Sequence, residues 1–204
     1  GIGVKTFPSY EESWHFDDKV AQLLLLRAHS FDIPDHVFFI DKLAAKSWLK
    51  TAKFPIIAKL KSGSGSNNVK LIDSEKLGNE YIEQMFGAGV TSGQKLVWKS
   101  ASNLRSVSSL SDLFRKLKRL PDFLASYGSS KHLPRERDYV SFQEFIPNDG
   151  FDLKVYIVGD KSLIIRRPNR KNDFRASGGG AIIFDKSLLN SKVIYAAREI
   201  SRRF

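Results

Sequence analysis

Three segments carry the residue types that hold anions. The first is KLKSGSGSNNV (59–69), in which Lys59 precedes a run of glycines and serines between two strand-like stretches. Glycines let a backbone come close to a ligand, and successive N–H groups can hold phosphate oxygens. The G-x-x-x-x-G-K-[ST] spacing does not fit, and the third glycine of G-x-G-x-x-G is missing. By itself the loop therefore reads as a flexible β-connection, and Lys59, placed to meet the same phosphates, is what makes it a candidate anion site. The second segment, QEFIPNDGFDLKVYIVGDK (143–161), brings acidic and amide groups into a turn and then a charged, alternating hairpin. The third, RRPNRKNDFRASGGG (166–180), places Arg166, Arg167, Arg170, Lys171 and Arg175 ahead of three glycines. That is dense enough for an anion site, although a charge run is ordinarily a solvated face. His15, His29, His36 and His132 show no paired spacing, and with no cysteine in the chain a transition-metal site is not expected. No G-x-S-x-G elbow occurs.

The elements that must position these residues follow from local patterning. Asp17 is a candidate N-cap for a helix to about Ser30, with Val20, Leu23, Leu24, Arg27 and Ala28 at helical spacing. VFFI (37–40) reads as a strand, and Asp41 as the cap of a helix over KLAAKSWLK. IIAKLK (56–61) and NVKLI (68–72) read as strands flanking the glycine-rich loop, and Ser74 as the opening of a helix to about Phe86. LVW (96–98) is a short strand candidate. Leu110, Leu113, Phe114, Leu117 and Leu120 make an apolar helical stripe that Pro121 stops, with a basic opposite face. DYVSFQEFI (138–146) is strand-like. In FDLKVYIV (151–158), Phe151, Leu153, Val155 and Ile157 face one way and Asp152, Lys154 and Tyr156 the other. Gly159-Asp160 is a two-residue turn into KSLIIRR (161–167). AIIF (181–184) reads as a strand and Leu188 to Phe204 as a helix.

Composition bounds the class. The 204 residues, 42 % hydrophobic and 12 % aromatic, support a packed core. No apolar run approaches a membrane span, and the start has no signal-peptide pattern, so a soluble, reducing, cytoplasmic setting is the expectation. Net charge is +11, and it is uneven: residues 1–100 hold 13 Lys/Arg against 11 Asp/Glu, residues 101–204 hold 20 against 11. Such a half calls for an anionic partner, either nucleic acid, an acidic membrane face or a nucleotide triphosphate.

Taken together, QEFIP, FDLKVYIVGDK, RR and NDFRASGGG, with DDK and FPIIAKLKSGSGSNNV upstream, resemble the ATP-grasp superfamily over roughly residues 15–200. The similar branch is that of carboxylate–amine ligases, including glutathione-synthetase-like and ribosomal-protein glutamate-adding enzymes. The resemblance implies an α+β fold of two lobes with antiparallel sheets gripping a nucleotide. Residues 1–50 would be a remnant pre-grasp region with connecting helices. Residues 51–137 would form the N-terminal lobe with a glycine-rich flap and a helical insertion, and 138–204 a partial C-terminal lobe. Lys19 resembles the family's first nucleotide lysine, its alternative being a solvent lysine in a helix's first turn. Lys59 resembles the lysine bridging the α- and β-phosphates, and Gly63, Ser64, Gly65 and Ser66 the flap over the triphosphate. Glu144, Phe145 and Ile146 resemble the strand whose backbone reads adenine, although the Phe and Ile side chains are equally compatible with plain core. Asp152 resembles the carboxylate at the ribose. Arg166 and Arg175 resemble the catalytic cations at the γ-phosphate and transferring group. Lys154 stands where much of the branch has arginine.

The resemblance implies ATP-dependent joining of a small-molecule or peptide carboxylate to an amine through an acylphosphate, with ATP and magnesium as cofactors. The family's magnesium ligands fall on strands after the last helix, which expects them beyond Phe204 and the chain as an inactive fragment of a longer, bacterial-type ligase. The competing readings are a basic nucleic-acid or polyanion-binding module and a non-catalytic ATP-grasp-like domain. Against nucleic acid, no aromatic RNA-binding motif, zinc spacing or helix-turn-helix pattern is present.

Overall fold

In the computed structural model, which describes residues 3, 5–63, 66, 68–91, 135–177, 181–184 and 191–204, the chain packs into two compact units. One is His15–Phe145; the other joins Gly1–Trp14 to Ile146–Phe204. Both mix helices with antiparallel strands. The expected strand at 96–98, the helix over Leu110–Leu120, and Ser64, Gly65 and Leu188 lie outside the described residues. Among the described residues no helix is long and apolar enough to cross a membrane.

The larger unit is built on a four-stranded sheet, β1 (His36–Phe39), β2 (Ile56–Lys59), β3 (Val69–Ile72) and β6 (Val140–Glu144), in the order β1-β6-β2-β3. All its pairings are antiparallel. Strand β6, grouped by sequence with the second lobe, hydrogen-bonds here to both β1 and β2. Residues facing each other across an antiparallel pair share a side of the sheet. Val37, Phe39, Ile56, Ala58, Ile72, Val140 and Phe142 therefore occupy one side. Helices α3 (Lys42–Leu49) and α4 (Glu75–Met85) complete the core there, with Leu49, Ile82 and Met85 wholly buried. Trp48 stacks on Phe142, ring centroids 5.5 Å apart. Both helices start where polar caps predict: the Asp41 carboxylate accepts from Ala44 N at 2.6 Å, and the Ser74 hydroxyl from Leu77 N. Gly78 of α4 lies so close to α3 that a Cβ there would sit 2.7 Å from Leu49 Cδ2.

The other side of the sheet mixes polar residues with the apolar Phe38, Ile57, Leu71 and Val69. His36, Ser141, Gln143 and Lys59 fall on it by register. Helix α2 (Lys19–Ala28) belongs to this unit and buries Leu23, while Leu24 of the expected stripe is exposed. Its N-cap is Asp18, not Asp17. Asp18 has extended backbone and accepts from Val20 N and Ala21 N at 3.0 and 2.9 Å, whereas Asp17 adopts φ +57° and points elsewhere. A short ribbon of β4 (Val90–Thr91) and β5 (Arg135–Glu136) follows α4.

The smaller unit contains the anticipated hairpin, β7 (Phe151–Val158) and β8 (Lys161–Pro168), turning at Gly159-Asp160. Phe151, Leu153, Val155 and Ile157 are half-buried, while Lys154, Tyr156 and Val158 are exposed, as alternation expects. Helix α5 (Ser191–Arg203) packs against β7. The stretch at 181–184 is not a full strand, since only Ile183 bridges, pairing with Arg166. The N-terminal part of this unit also contains a helical turn, α1 (Tyr10–Ser13), with a Ser9/Glu12 capping box. The S-x-x-E spacing was its sequence signal.

Candidate functional site

In the larger unit, the face of the sheet that bears Lys59 and the entry of the glycine-rich loop bring cations together. The Lys59 ammonium, half-buried at the end of β2, donates to the Gln143 side-chain oxygen on the neighbouring strand. Lys19, in the first turn of α2, donates from its ammonium to the Gly63 carbonyl at 2.7 Å. Neither lysine is in an ion pair among the described residues. Burial and the Lys19 charge both pull the Lys59 ammonium below its ordinary range. Burial also lowers Lys19, opposed by the charges of Asp17, Glu136 and Asp18. Two partly desolvated cations close enough to repel each other form a site that gains from an incoming anion.

Beside them is His36, only 6 % exposed, sharing a 2.5 Å hydrogen bond with the Ser141 hydroxyl. Burial, with lesser repulsion from Lys59 and Arg27, pushes its imidazole down to about 4, so it is neutral at neutral pH. The Arg27 guanidinium donates to the His36 carbonyl at 2.5 Å. His36 and Ser141 are too enclosed to meet a substrate; they are the neutral floor under the cations.

The loop is held at its entry by a network that sequence reasoning did not anticipate. The Glu136 carboxylate, positioned by the β4–β5 ribbon, accepts from both the Ser62 and Tyr139 hydroxyls. The Tyr139 hydroxyl in turn accepts from Lys61 N at 2.6 Å. Burial first and Glu136 second push the Tyr139 phenol up, so it stays a donor. Asn68 Nδ2 donates to Ser62 O at 2.9 Å, closing the loop across its base. Gly63 is required there: its φ is +107°, and an added Cβ would run into the Asn68 amide. Gly63 N donates to the Asp17 carboxylate oxygens at 3.0 and 3.1 Å. Gln143, Glu136 and Tyr139 were beyond sequence reach because their partners lie on distant strands whose pairing no local pattern sets.

The remaining nucleotide-contact expectations are placed as follows. Ser66 is described, with φ +56°, next to the loop's undescribed Ser64 and Gly65. Glu144 N is committed to Asp35 O at 2.8 Å, and its carboxylate accepts from Asp35 N at 3.3 Å. Phe145 ends this unit as a half-buried residue.

In the smaller unit Ile146 is exposed. Asp152 receives a two-pronged contact from Arg167, Nε to Oδ1 at 2.7 Å and NH2 to Oδ2 at 2.6 Å. The hydrogen bond raises the Arg167 guanidinium above its already high range. A signal for this pair existed: a two-residue turn at 159–160 fixes the register, and that register sets Asp152 opposite Arg167. Arg175 is likewise engaged, with Asp173 accepting from its Nε at 2.8 Å and its NH2 at 2.5 Å. That contact holds the Asp173 carboxyl below its ordinary range. Arg166 is different. Its guanidinium lies 3.9 Å from the Phe151 ring centroid, and its buried Nε has no hydrogen-bond partner. Lys154 Nζ sits over the Tyr156 ring at 4.5 Å. The basic loop is therefore partly neutralised by its own carboxylates, and Arg166 is its uncompensated cation among Arg166, Arg167 and Arg175.

No family model matches the chain, and no curated protein matches it. Among solved structures, it is similar to D-alanyl-alanine synthetase A from Vibrio cholerae O1 biovar eltor str. N16961, with a TM-score of 0.50 and 11 % sequence identity. The likeness is one of fold. The alignment covers 92 % of this chain and 45 % of that chain, so the protein spans less than half the length of its structural neighbour.

Proposed function

We propose that this chain is the ATP-binding portion of an ATP-dependent carboxylate–amine ligase of the ATP-grasp type. The observation that carries the reading is a pair of half-buried cations, Lys19 and Lys59, near enough to repel each other and in no ion pair among the described residues, with Lys19 bonded to the entry of the glycine-rich loop at the Gly63 carbonyl. A triphosphate supplies the negative charge that would offset their mutual repulsion and the cost of their burial. The motif order along the chain and the fold likeness to a synthetase support the same reading. Bound ATP would supply the phosphoryl group that activates a carboxylate for attack by an amine. This chain's part is to hold the phosphates through Lys19 and Lys59. In the other unit, considered by itself, Arg166 is a cation with no carboxylate partner among the described residues, its guanidinium over the Phe151 ring.

Magnesium accompanies ATP in ligases of this type. Among the described residues no three His, Cys, Asp or Glu side chains converge to hold a metal ion. None of the described residues is assigned a role in holding one.

A thermal-shift screen tests the proposal. ATP, GTP, inorganic tripolyphosphate and a short RNA are compared with and without magnesium. A rise in Tm with ATP exceeding those with GTP and RNA supports it. A shift with RNA alone that collapses steeply with salt would support the polyanion-binding alternative instead.

A further inference from the structure

The acidic pair that opens α2 divides its labour. Asp18 caps the helix and pairs with the Lys61 ammonium at 3.0 Å. Asp17 makes no capping bond. Its backbone adopts φ +57°, a conformation disfavoured for a residue with a side chain, and its carboxylate takes the Gly63 N–H through both oxygens. The carbonyl of the same Gly63 is taken by Lys19 Nζ at 2.7 Å, and Lys19 N donates to Lys61 O at 2.9 Å. The tripeptide Asp17-Asp18-Lys19 thus grips the first residues of the loop at Lys61 and Gly63. A carboxylate accepting from a glycine amide next to an ammonium occupies the position and charge that a phosphate group would take.

We infer that Asp17 is an internal anion that stands in for phosphate at the loop, so that a polyphosphate must displace its carboxylate from Gly63 to bind. This rests on the reading of the Lys19–Lys59 site as a polyphosphate site and deepens it. Asp17 sets the affinity of that site by occupying the Gly63 N–H until an anion arrives. Its charge also counters the burial that pulls the Lys19 ammonium below its ordinary range, being the largest influence that opposes it there. Once phosphate replaces the carboxylate, the Gly63 N–H is held by the ligand instead and Asp17 is freed.

The test is calorimetric titration of the whole chain with inorganic tripolyphosphate and, separately, with ATP. Wild type is compared with Asp17→Asn and Asp17→Ala. Because Asp18 makes the cap, both substitutions leave the capping bonds of α2 in place, and asparagine also tolerates the φ of +57° at which alanine is strained. Removing a like charge next to the ligand should tighten tripolyphosphate and ATP by about fivefold or more in both variants. Hydrogen exchange gives a second readout: the Gly63 amide should be protected in wild type, lose protection in Asp17→Ala, and regain it when tripolyphosphate is added. Equal or weaker anion binding in both variants, or an unchanged Gly63 exchange rate, overturns the inference. Tightened tripolyphosphate binding without any ATP binding upholds the role of Asp17 and defeats the nucleotide reading. ATP binding of equal strength in all three proteins upholds the nucleotide reading and defeats the role of Asp17. No binding of either anion to any of them defeats both.

Discussion

Acid should destabilise this fold through His36 before it touches most carboxylates. In the folded chain the imidazole is 6 % exposed and bound to the Ser141 hydroxyl. It is held at about 4 against an ordinary 6.5, chiefly by burial and then by Lys59 and Arg27. The unfolded chain therefore takes up a proton on His36 as pH falls through 6.5, while the folded chain does not until about 4. Lowering the pH favours the unfolded state throughout that interval, and the effect is complete below it. At about 1.4 kcal/mol per pH unit, the whole interval amounts to about 3 kcal/mol. The part falling between about pH 7 and about pH 5, above the range of most carboxylates, is about 2 kcal/mol. For a chain of this length that lowers Tm by about 4–8 °C. The assay is urea denaturation at these two pH values, paired with an NMR titration of the His36 ring carbon. A His36→Asn variant should lose most of the slope. A His36 midpoint near 6.5, or the same acid slope in the variant, would refute the reasoning. The link to the candidate site is direct, because a charged His36 would join Lys59 and Arg27 as a further cation on the same side of the sheet.

Other outcomes follow from the same geometry. Gly63→Ala forces a Cβ into the Asn68 amide at φ +107°, so it should lower stability by about 1–3 kcal/mol and weaken ATP binding in the same titration. Gly78→Ala, although it favours helix locally, drives a methyl to within 2.7 Å of Leu49 and should cost about 1–3 kcal/mol by denaturation. Arg167→Ala leaves Asp152 without its two-pronged partner. With the pair 23 % and 38 % exposed, the loss should be about 1 kcal/mol, and screening by salt should shrink the difference from wild type.

Much of the frame was legible because it is local. Asp41 and Ser74 cap the helices they were expected to cap, and alternation with a Gly-Asp turn specifies the 151–168 hairpin. Ambiguity began where two residues could do one job. Asp17 and Asp18 are both suitable caps by type, and only the backbone decides that Asp18 caps while Asp17 reaches Gly63. Lys59 was found from the loop beside it, but its partner Gln143 depends on β6 entering between β1 and β2, a long-range pairing with no local signature. Arg175 and Asp152 were expected to face a nucleotide, and in the fold each is engaged by a charged neighbour, Asp173 and Arg167 respectively. Charge density in a sequence does not reveal which cations are already paired.

The central claim is that Lys59 is kept half-buried and short of negative charge in order to hold a triphosphate. Calorimetric titration of ATP, with and without magnesium, into wild type and Lys59→Met tests it most directly. Replacing a desolvated ammonium with an apolar chain of similar length should leave the free protein as stable or about 1 kcal/mol more stable. It should also weaken ATP at least about tenfold, through loss of a buried charge contact of about 1.4 kcal/mol or more. Wild-type affinity in Lys59→Met, or no ATP binding by the wild type, would contradict the account.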